Sequence, residues 1–436
     1  MITTTKMKNL LKVTFVICLS FLFQNLTHAQ TEKSNKFLQK VGVLDSLYSK
    51  TLDEYRNVYV QLPANYNPND KTKYPVVFLL DGEVFLPAVN EFQNYYSGNF
   101  TPEMVIVGIS NNTNRMRDLT TSKVSEINGR PFEQDNGEAA KFIKFIEDEL
   151  IPFVEKKYPV TNFRTLIGHS YGGLFTLYSL VHQPHLFSNY LAIDPSLDWD
   201  NQQLIKEAKL MVSNANYKGK SLFMSLGGVV YMQKSGMTLN AIKKDTTDFT
   251  LFSRSNISFS EVLKKHKQNN LNFEWKFYPR DLHGTVPFPS IMDGLISVFK
   301  WYQLENIDKY NMPNTSADEI NKIVRYRQHK LETHFGYFVH PIPEFLLNMQ
   351  GYMSMDRGEM ERAKMNFELS LEYYPNSPNA YDSMADYYVR NQDKDKAIKY
   401  VTKALNISGN DYYKKRIIEL KEKSENKINI YVIKKE

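Results

Sequence analysis

The run Gly168-His169-Ser170-Tyr171-Gly172-Gly173 sets a serine among glycines, after the apolar Thr165-Leu166-Ile167 and before Leu174-Phe175-Thr176-Leu177-Tyr178. A short strand that turns sharply into a helix lifts this weak nucleophile above a sheet. Glycine at the flanks spares the strained turn the clash that a Cβ would bring. A serine hydroxyl at neutral pH needs a base to take its proton. Of the nine histidines, His283 fits best. It leaves the strand-like Phe273–Tyr278 through Pro279-Arg280-Asp281-Leu282, lies downstream of the serine, and opens the loop His283-Gly284-Thr285-Val286-Pro287. His169 is expected to be structural, its ring turned away from the nucleophile, and His182 and His185 are expected at the surface.

A third group, usually an acid, holds the imidazole in the useful tautomer. It should follow the strand ending near Leu226, yet Gly227 to Lys244 contains no Asp or Glu. Asp245 and Asp248 come next, Asp198 and Asp200 follow the preceding strand, and Asp281 is too near His283 along the chain to face its ring. A serine–histidine pair without an acid is the remaining alternative. The oxyanion that forms on attack needs two backbone N–H donors. Tyr171, directly after the serine, is one, and Glu83, in the turn opened by Gly82, is the other. The polar stretch from Ser110 to Gly137 carries Arg115, Arg117, Asp118 and Arg130. It reads as solvated loop charge or as a basic lining for an acidic or catechol-rich ligand.

These groups need a scaffold that sets them side by side. Val41–Leu44 and Arg56–Leu62 read as two strands, the second alternating apolar and polar residues. Tyr74–Leu80 and Met104–Ile109 are continuously apolar, as strands covered on both faces are. Glu138–Lys157 has helical spacing, and Tyr190–Ile193, Ser221–Leu226 and Phe273–Tyr278 are further strands. Apolar strands alternating with amphipathic helices predict an α/β fold, a mostly parallel sheet with helices on both faces. Ligands of such sheets gather at the carboxyl ends of the strands, and Asp81-Gly82, Ser170 and His283 each stand just past one.

At 436 residues, 42% hydrophobic and 13% aromatic, the chain has material for two domains with real cores. Lys6, Lys8 and Lys12 precede an apolar stretch, Val13–Phe23, and Thr27-His28-Ala29 supplies small residues, as in a leader cleaved after Ala29. The stretch is too short to serve as a stable membrane anchor. Cys18, within it, is the only cysteine, so the processed chain has neither disulfides nor thiolate chemistry. Loss of the three leader lysines lowers the net charge from +6 to +3, and nothing points to nucleic acid. After about residue 305 the texture changes. Residues 306–342 read as a linker and a connecting helix with a capping box at Ser316-Ala317-Asp318-Glu319. Residues 343–436 carry a repeat of period 34: Gly351 matches Ala385, Ala363 matches Ala397, Phe367 matches Val401 and Leu371 matches Leu405. That is the period of a tetratricopeptide repeat. Two repeats are too few to stand alone, so they should lean on the 316–334 helix or on the preceding domain.

Five separated motifs then carry a resemblance. Arg56–Pro63, Tyr74–Gly82, Gly168–Gly173, Asp194-Pro195-Ser196-Leu197 and His283-Gly284, in this order over residues 41–300, resemble the putative-esterase, esterase D-like branch of the α/β-hydrolases. That branch includes ferric-siderophore esterases and neighbours feruloyl and acetyl xylan esterases. The resemblance implies an α/β-hydrolase domain over residues 30–305, Ser170 as nucleophile, His283 as base and Glu83 as the second oxyanion donor. It implies no cofactor and no metal. Relatives often carry Ser-Pro-Ser-x-Trp-Trp where this chain has Asp194-Pro195-Ser196-Leu197-Asp198-Trp199. The expected activity is that of an exported serine esterase acting on a small ester, of siderophore type or an acylated carbohydrate, in the periplasm or outside the cell. The alternative is an inactive hydrolase-fold scaffold whose repeats hold a protein or peptide.

Overall fold

The computed structural model describes residues 40–69, 72–98, 100–127, 129–228 and 238–433, with side chains through Glu422. The predicted leader, residues 1–29, lies outside them. The chain divides into two compact units, the first ending at Phe299 and the second beginning at Lys300.

The first unit is built on an eight-stranded sheet. In chain order the strands are β1 (Val43–Ser49), β2 (Glu54–Gln61), β3 (Tyr74–Leu80), β4 (Val105–Ile109), β5 (Val160–His169), β6 (Asn189–Ile193), β7 (Ser221–Gly227) and β8 (Asn272–Tyr278). Their spatial order is β1-β2-β4-β3-β5-β6-β7-β8. β1 pairs antiparallel with β2 and β2 antiparallel with β4, while every later pairing is parallel. The first strand runs on to Ser49, beyond the Leu44 expected from pattern. Its outer residues Val43, Leu44 and Tyr48 are exposed on the edge strand, so no clean alternation marks its end.

All seven residues of β3 are buried. Val76, Phe78 and Leu80 join one core with Phe142, Phe175 and Phe187, and Val77 and Leu79 are as fully buried on the opposite face. Each such side chain stabilises the fold by about 1.5–3 kcal/mol. On that opposite face Gly294 lets a helix approach so closely that an added Cβ would lie 2.7 Å from Leu191 Cδ2 and 2.9 Å from Phe223 Cδ1. The helical stretch from Ala139 to Lys157 is interrupted by a π-helical turn at Ile146–Leu150. Pro152 explains the interruption, because it lacks an N–H and its ring would strike the carbonyl four residues back.

The second unit is helical, and its longer helices are α7 (Ala317–Phe335), α8 (Glu344–Asp356), α9 (Met360–Tyr373), α10 (Pro378–Arg390), α11 (Lys394–Ser408) and α12 (Asp411–Ile433), numbered after the six helices labelled in the first unit. Those six are α1 (Gly82–Tyr96), α2 (Arg115–Leu119), α3 (Tyr171–His182), α4 (Trp199–Met211), α5 (Leu251–Lys265) and α6 (Pro287–Val298). The pairs α8–α9 and α10–α11 repeat the 34-residue spacing. Gly351 sits so tightly on α9 that a Cβ would lie 2.4 Å from Phe367 Cε1. The repeats do lean on α7, whose Ile320 and Val324 share a core with Tyr310, Ile342, Leu347, Leu369 and Tyr373. Among the described residues no helix is long and apolar enough to cross a membrane.

Candidate active site

The carboxyl ends of β5, β6, β7 and β8 stand in register: His169 faces Ile193, Ile193 faces Ser225, and Gly227 faces Tyr278. The chemistry-bearing residues follow directly. Ser170 joins β5 to α3 with φ 60° and ψ −117°, a backbone conformation that costs a non-glycine residue on the order of 1–3 kcal/mol. Three backbone hydrogen bonds hold it there. Ser170 N–H donates to Ile193 O at 3.0 Å, and Ser170 O accepts from Leu174 N at 2.9 Å and Ser196 N at 3.1 Å. The flanking glycines are needed for space, since a Cβ on Gly168 would lie 2.2 Å from Gly172 O. On Gly173 it would lie 3.0 Å from Ile193 O.

His283 follows β8 and lines the same cavity, of about 1030 Å³, as Ser170 and Tyr171. Its Nδ1–H donates to Asp194 Oδ2 at 2.6 Å. Asp194 stands just past β6 with φ 42°, its side chain only 2% exposed, and its Oδ1 accepts from Gly227 N at 2.8 Å. With Nδ1 so engaged, Nε2 is the imidazole nitrogen left to take a proton. The ring lies between His169, with centroids 4.5 Å apart, and Phe252, edge-on at 5.3 Å. Ser170 Oγ is 3.2 Å from Ser196 Oγ, and either hydroxyl can donate.

His169 has a structural role, as expected, and the contact that gives it that role is specific. Its Nε2–H donates to the backbone carbonyl of His283 at 2.9 Å, tying the base's loop to the elbow strand. Burial, with smaller contributions from the nearby His283 and Arg115, pushes its pKa down to about 3, so it stays neutral and keeps that donor. His182 and His185 are partnered by Glu207 and Glu147.

Two arginines of the 110–137 stretch, Arg115 and Arg117, turn inward. Arg115 grips Asp81 with two bonds of 2.8 and 2.9 Å, donates to His169 O at 3.2 Å, and lies over the Tyr171 ring. Arg117 pairs with Glu54 and Asp118. Neither is solvated loop charge or a free lining cation. Arg130 is exposed on a two-residue ribbon and is not among the residues lining the cavity.

Asp81, at φ 52°, caps α1, and Val84 N and Phe85 N donate to its carbonyl. The next residue, Gly82, meets β4 so closely that a Cβ would lie 2.4 Å from Gly108. Glu83 therefore sits in the first turn of α1, where backbone N–H groups have no partner within the helix. It is not among the residues lining the cavity, whereas Tyr171 is. The turn nonetheless abuts the elbow, since the Cβ position of Gly172 is 3.5 Å from Leu80 and 3.6 Å from Asp81 Oδ2.

Family models match this chain as a putative esterase over residues 49–226, as a prolyl oligopeptidase family member over 153–303, and as a tetratricopeptide repeat over 378–411. The ferri-bacillibactin esterase BesA of Bacillus subtilis is 31% identical over 209 residues, 43% of this chain and 71% of the relative. The chain belongs to the putative esterase family. A siderophore enterobactin esterase of Emericella nidulans is 32% identical over 184 residues, 38% of this chain and 58% of the relative. The solved structure of an IroE-like serine hydrolase from Shewanella oneidensis is 28% identical with a TM-score of 0.62, covering 76% of this chain and 99% of that one. This esterase is thus a carboxylic ester hydrolase with an α/β-hydrolase fold and a tetratricopeptide-repeat region.

The acid is where the sequence reading needs correction. The imidazole's partner is Asp194, which was not among the candidates, and the esterase is not a bare serine–histidine pair. Asp245 instead accepts from Thr247 N and Oγ1, and Asp248 opens a short 3-10 turn. Asp198 and Asp200 do line the cavity, and burial pushes the Asp198 carboxyl up while the nearby His283 opposes the shift. The signal for Asp194 was available, because it too stands one residue beyond an apolar strand. His169, Asp194 and His283 offer ligand atoms within 4.8 Å of one another, a spacing a metal ion could use. Here those atoms are spent on hydrogen bonds that aim the imidazole.

Proposed function

We propose that the protein is an exported serine esterase that cleaves siderophore-type esters through an acyl-enzyme. Ser170 Oγ attacks the ester carbonyl as its proton passes to His283 Nε2, and Asp194 holds the resulting imidazolium. Tyr171 N–H and Glu83 N–H receive the negative oxygen of the tetrahedral intermediate. Its collapse breaks the bond to the leaving alcohol, which takes the proton from His283. Water, deprotonated by the same imidazole, then releases the acid and restores Ser170. The observation that carries this reading is the 2.6 Å bond from His283 to the buried Asp194, within the cavity that also holds Ser170. The siderophore esterases among its relatives support the substrate class.

Under the same reading residues 1–29 direct export to the periplasm or medium, and the repeats hold a protein or peptide. The test is Ser170→Ala against p-nitrophenyl butyrate and a catecholate trilactone, with fluorophosphonate labelling of the parent protein. Turnover and label should both vanish in the variant. Retained turnover would remove the mechanism. Turnover of the butyrate ester alone would remove the substrate class.

A further inference from the structure

Among the described residues, the walls of the catalytic cavity carry charge of one dominant sign. Beyond Asp194, which is committed to His283, the described lining contains Glu126, Asp198 and Asp200 against a single cation, Lys123. The arginines that could have balanced them are withdrawn. Arg115 is clamped on Asp81, and Arg117 is held by Glu54 and Asp118. Aromatic faces complete the wall: Tyr171 and Trp199 meet edge-to-face at 5.5 Å, and Phe252 stands beside His283.

The acidic part of this wall is held in place. Asp200, Asn201 and Gln202 are three successive non-glycine residues with positive φ, at 46°, 50° and 65°. L-residues rarely adopt that conformation in sequence. Gln202 Nε2 anchors the run by donating to Ser255 Oγ at 2.8 Å. Asp200 and Asn201 both line the cavity as a result. Carboxylates beside aromatic faces attract cations and repel anions, and more strongly where water is partly excluded.

We infer that this cavity sorts esters by charge, accepting uncharged and cationic acyl groups and rejecting anionic ones, with Asp198 and Asp200 as the deciding residues. The inference rests on the esterase reading of the site and narrows its siderophore-type substrate to the iron-free, uncharged trilactone, excluding the anionic ferric complex.

The experiment uses three p-nitrophenyl esters of similar length, carrying a neutral butyryl, an anionic succinyl or a cationic trimethylammoniobutyryl group. With the full-length protein, kcat/KM for the anionic ester should be at least tenfold below that for the neutral one, and the cationic ester should equal or exceed it. Raising the salt concentration should narrow the gap, because screening weakens charge repulsion and leaves shape unchanged. Asp198→Asn/Asp200→Asn should bring the anionic and neutral values to within about threefold of each other. Ser170-dependent turnover of all three esters at similar rates would overturn the inference and leave the esterase reading standing. A gap that survives both salt and the double substitution would assign the selection to shape and also overturn it. Absence of turnover for every ester would remove the esterase reading and this inference together.

Discussion

Asp194→Asn changes one oxygen to an amide nitrogen and removes one buried negative charge. The asparagine can still accept from Gly227 N, so the end of β6 should keep its place. What is lost is the charge that faces the imidazolium formed when Ser170 gives up its proton. The contact is 2.6 Å from Nδ1 to Oδ2, which sets the charge centres about 4 Å apart. At the effective dielectric suited to partly buried pairs, that interaction is worth about 4 kcal/mol. With tenfold in rate for each 1.36 kcal/mol, kcat should fall about 10³-fold. KM for p-nitrophenyl butyrate should change little, because the ground-state imidazole is neutral. Steady-state kinetics on the variant, with a melting curve to show that it folds, measures both. A variant within threefold of wild type would show that His283 works without its acid, and the assignment of Asp194 would be lost.

Other consequences are separable from that one. His169, whose folded pKa of about 3 lies below the 6.5 of a free imidazole, is neutral in the native state and gains a proton on unfolding below pH 6.5. Its contribution to stability is therefore complete above pH 6.5 and is lost as pH falls toward 3, by up to about 1.4 kcal/mol per pH unit. Denaturant titrations at pH 7, 6 and 5 should show the decline, and His169→Gln should flatten it; equal slopes in the two proteins would refute this. Arg115→Lys keeps a charge but loses the fork that joins Asp81 to His169 O, and kcat should fall about 10–100-fold. Unchanged kcat in that variant would show that the tether between turn and elbow does not tune the site. Gly351→Ala sets a methyl against the buried Phe367 ring, and the overpacking should destabilise the repeat unit by about 1–3 kcal/mol. A thermal scan that shows no lower transition would mean that the α8–α9 contact can open freely.

The parts of this molecule that could be read from sequence are those where one local feature had one structural solution. Tyr74–Leu80 is apolar at five consecutive positions, Val76 to Leu80, after the tyrosine and proline that start it, and a strand covered on both faces uses such a run. Gly168 and Gly173 bracket Ser170 because neighbouring backbone leaves no room for a Cβ, and the glycines announce that crowding. The period of 34 in the tail is likewise a packing constraint written directly in small residues such as Gly351 and Ala385. Arg115 and Arg117 were harder, because an arginine in a polar stretch looks the same whether it meets solvent or a carboxylate 34 or 63 residues away. Their partners Asp81 and Glu54 become neighbours only when β2, β3 and α2 are assembled.

Asp194 shows most clearly how a topological expectation can mislead where a local one would have served. The acid is expected first after β7, where Gly227 to Lys244 hold none, with Asp198 and Asp200 after β6 as alternatives that lie a few residues beyond the one that serves. In the sheet, however, β6 lies between the nucleophile's strand and β7, and Ile193 pairs with both His169 and Ser225. A carboxylate one residue past Ile193 is therefore a single strand from Ser170 and beside Gly227, whose N–H it accepts. From there it meets an imidazole delivered by the loop after β8, two strands along. What the catalytic constellation requires is a buried oxygen at one point in space, and adjacent strand ends in register can both supply it. The criterion that singled out Ser170 and His283, a chemically able residue just beyond an apolar strand, applies equally to Asp194 after Tyr190-Leu191-Ala192-Ile193. Position relative to the sheet edge, rather than order along the chain, is what governs which acid reaches the histidine.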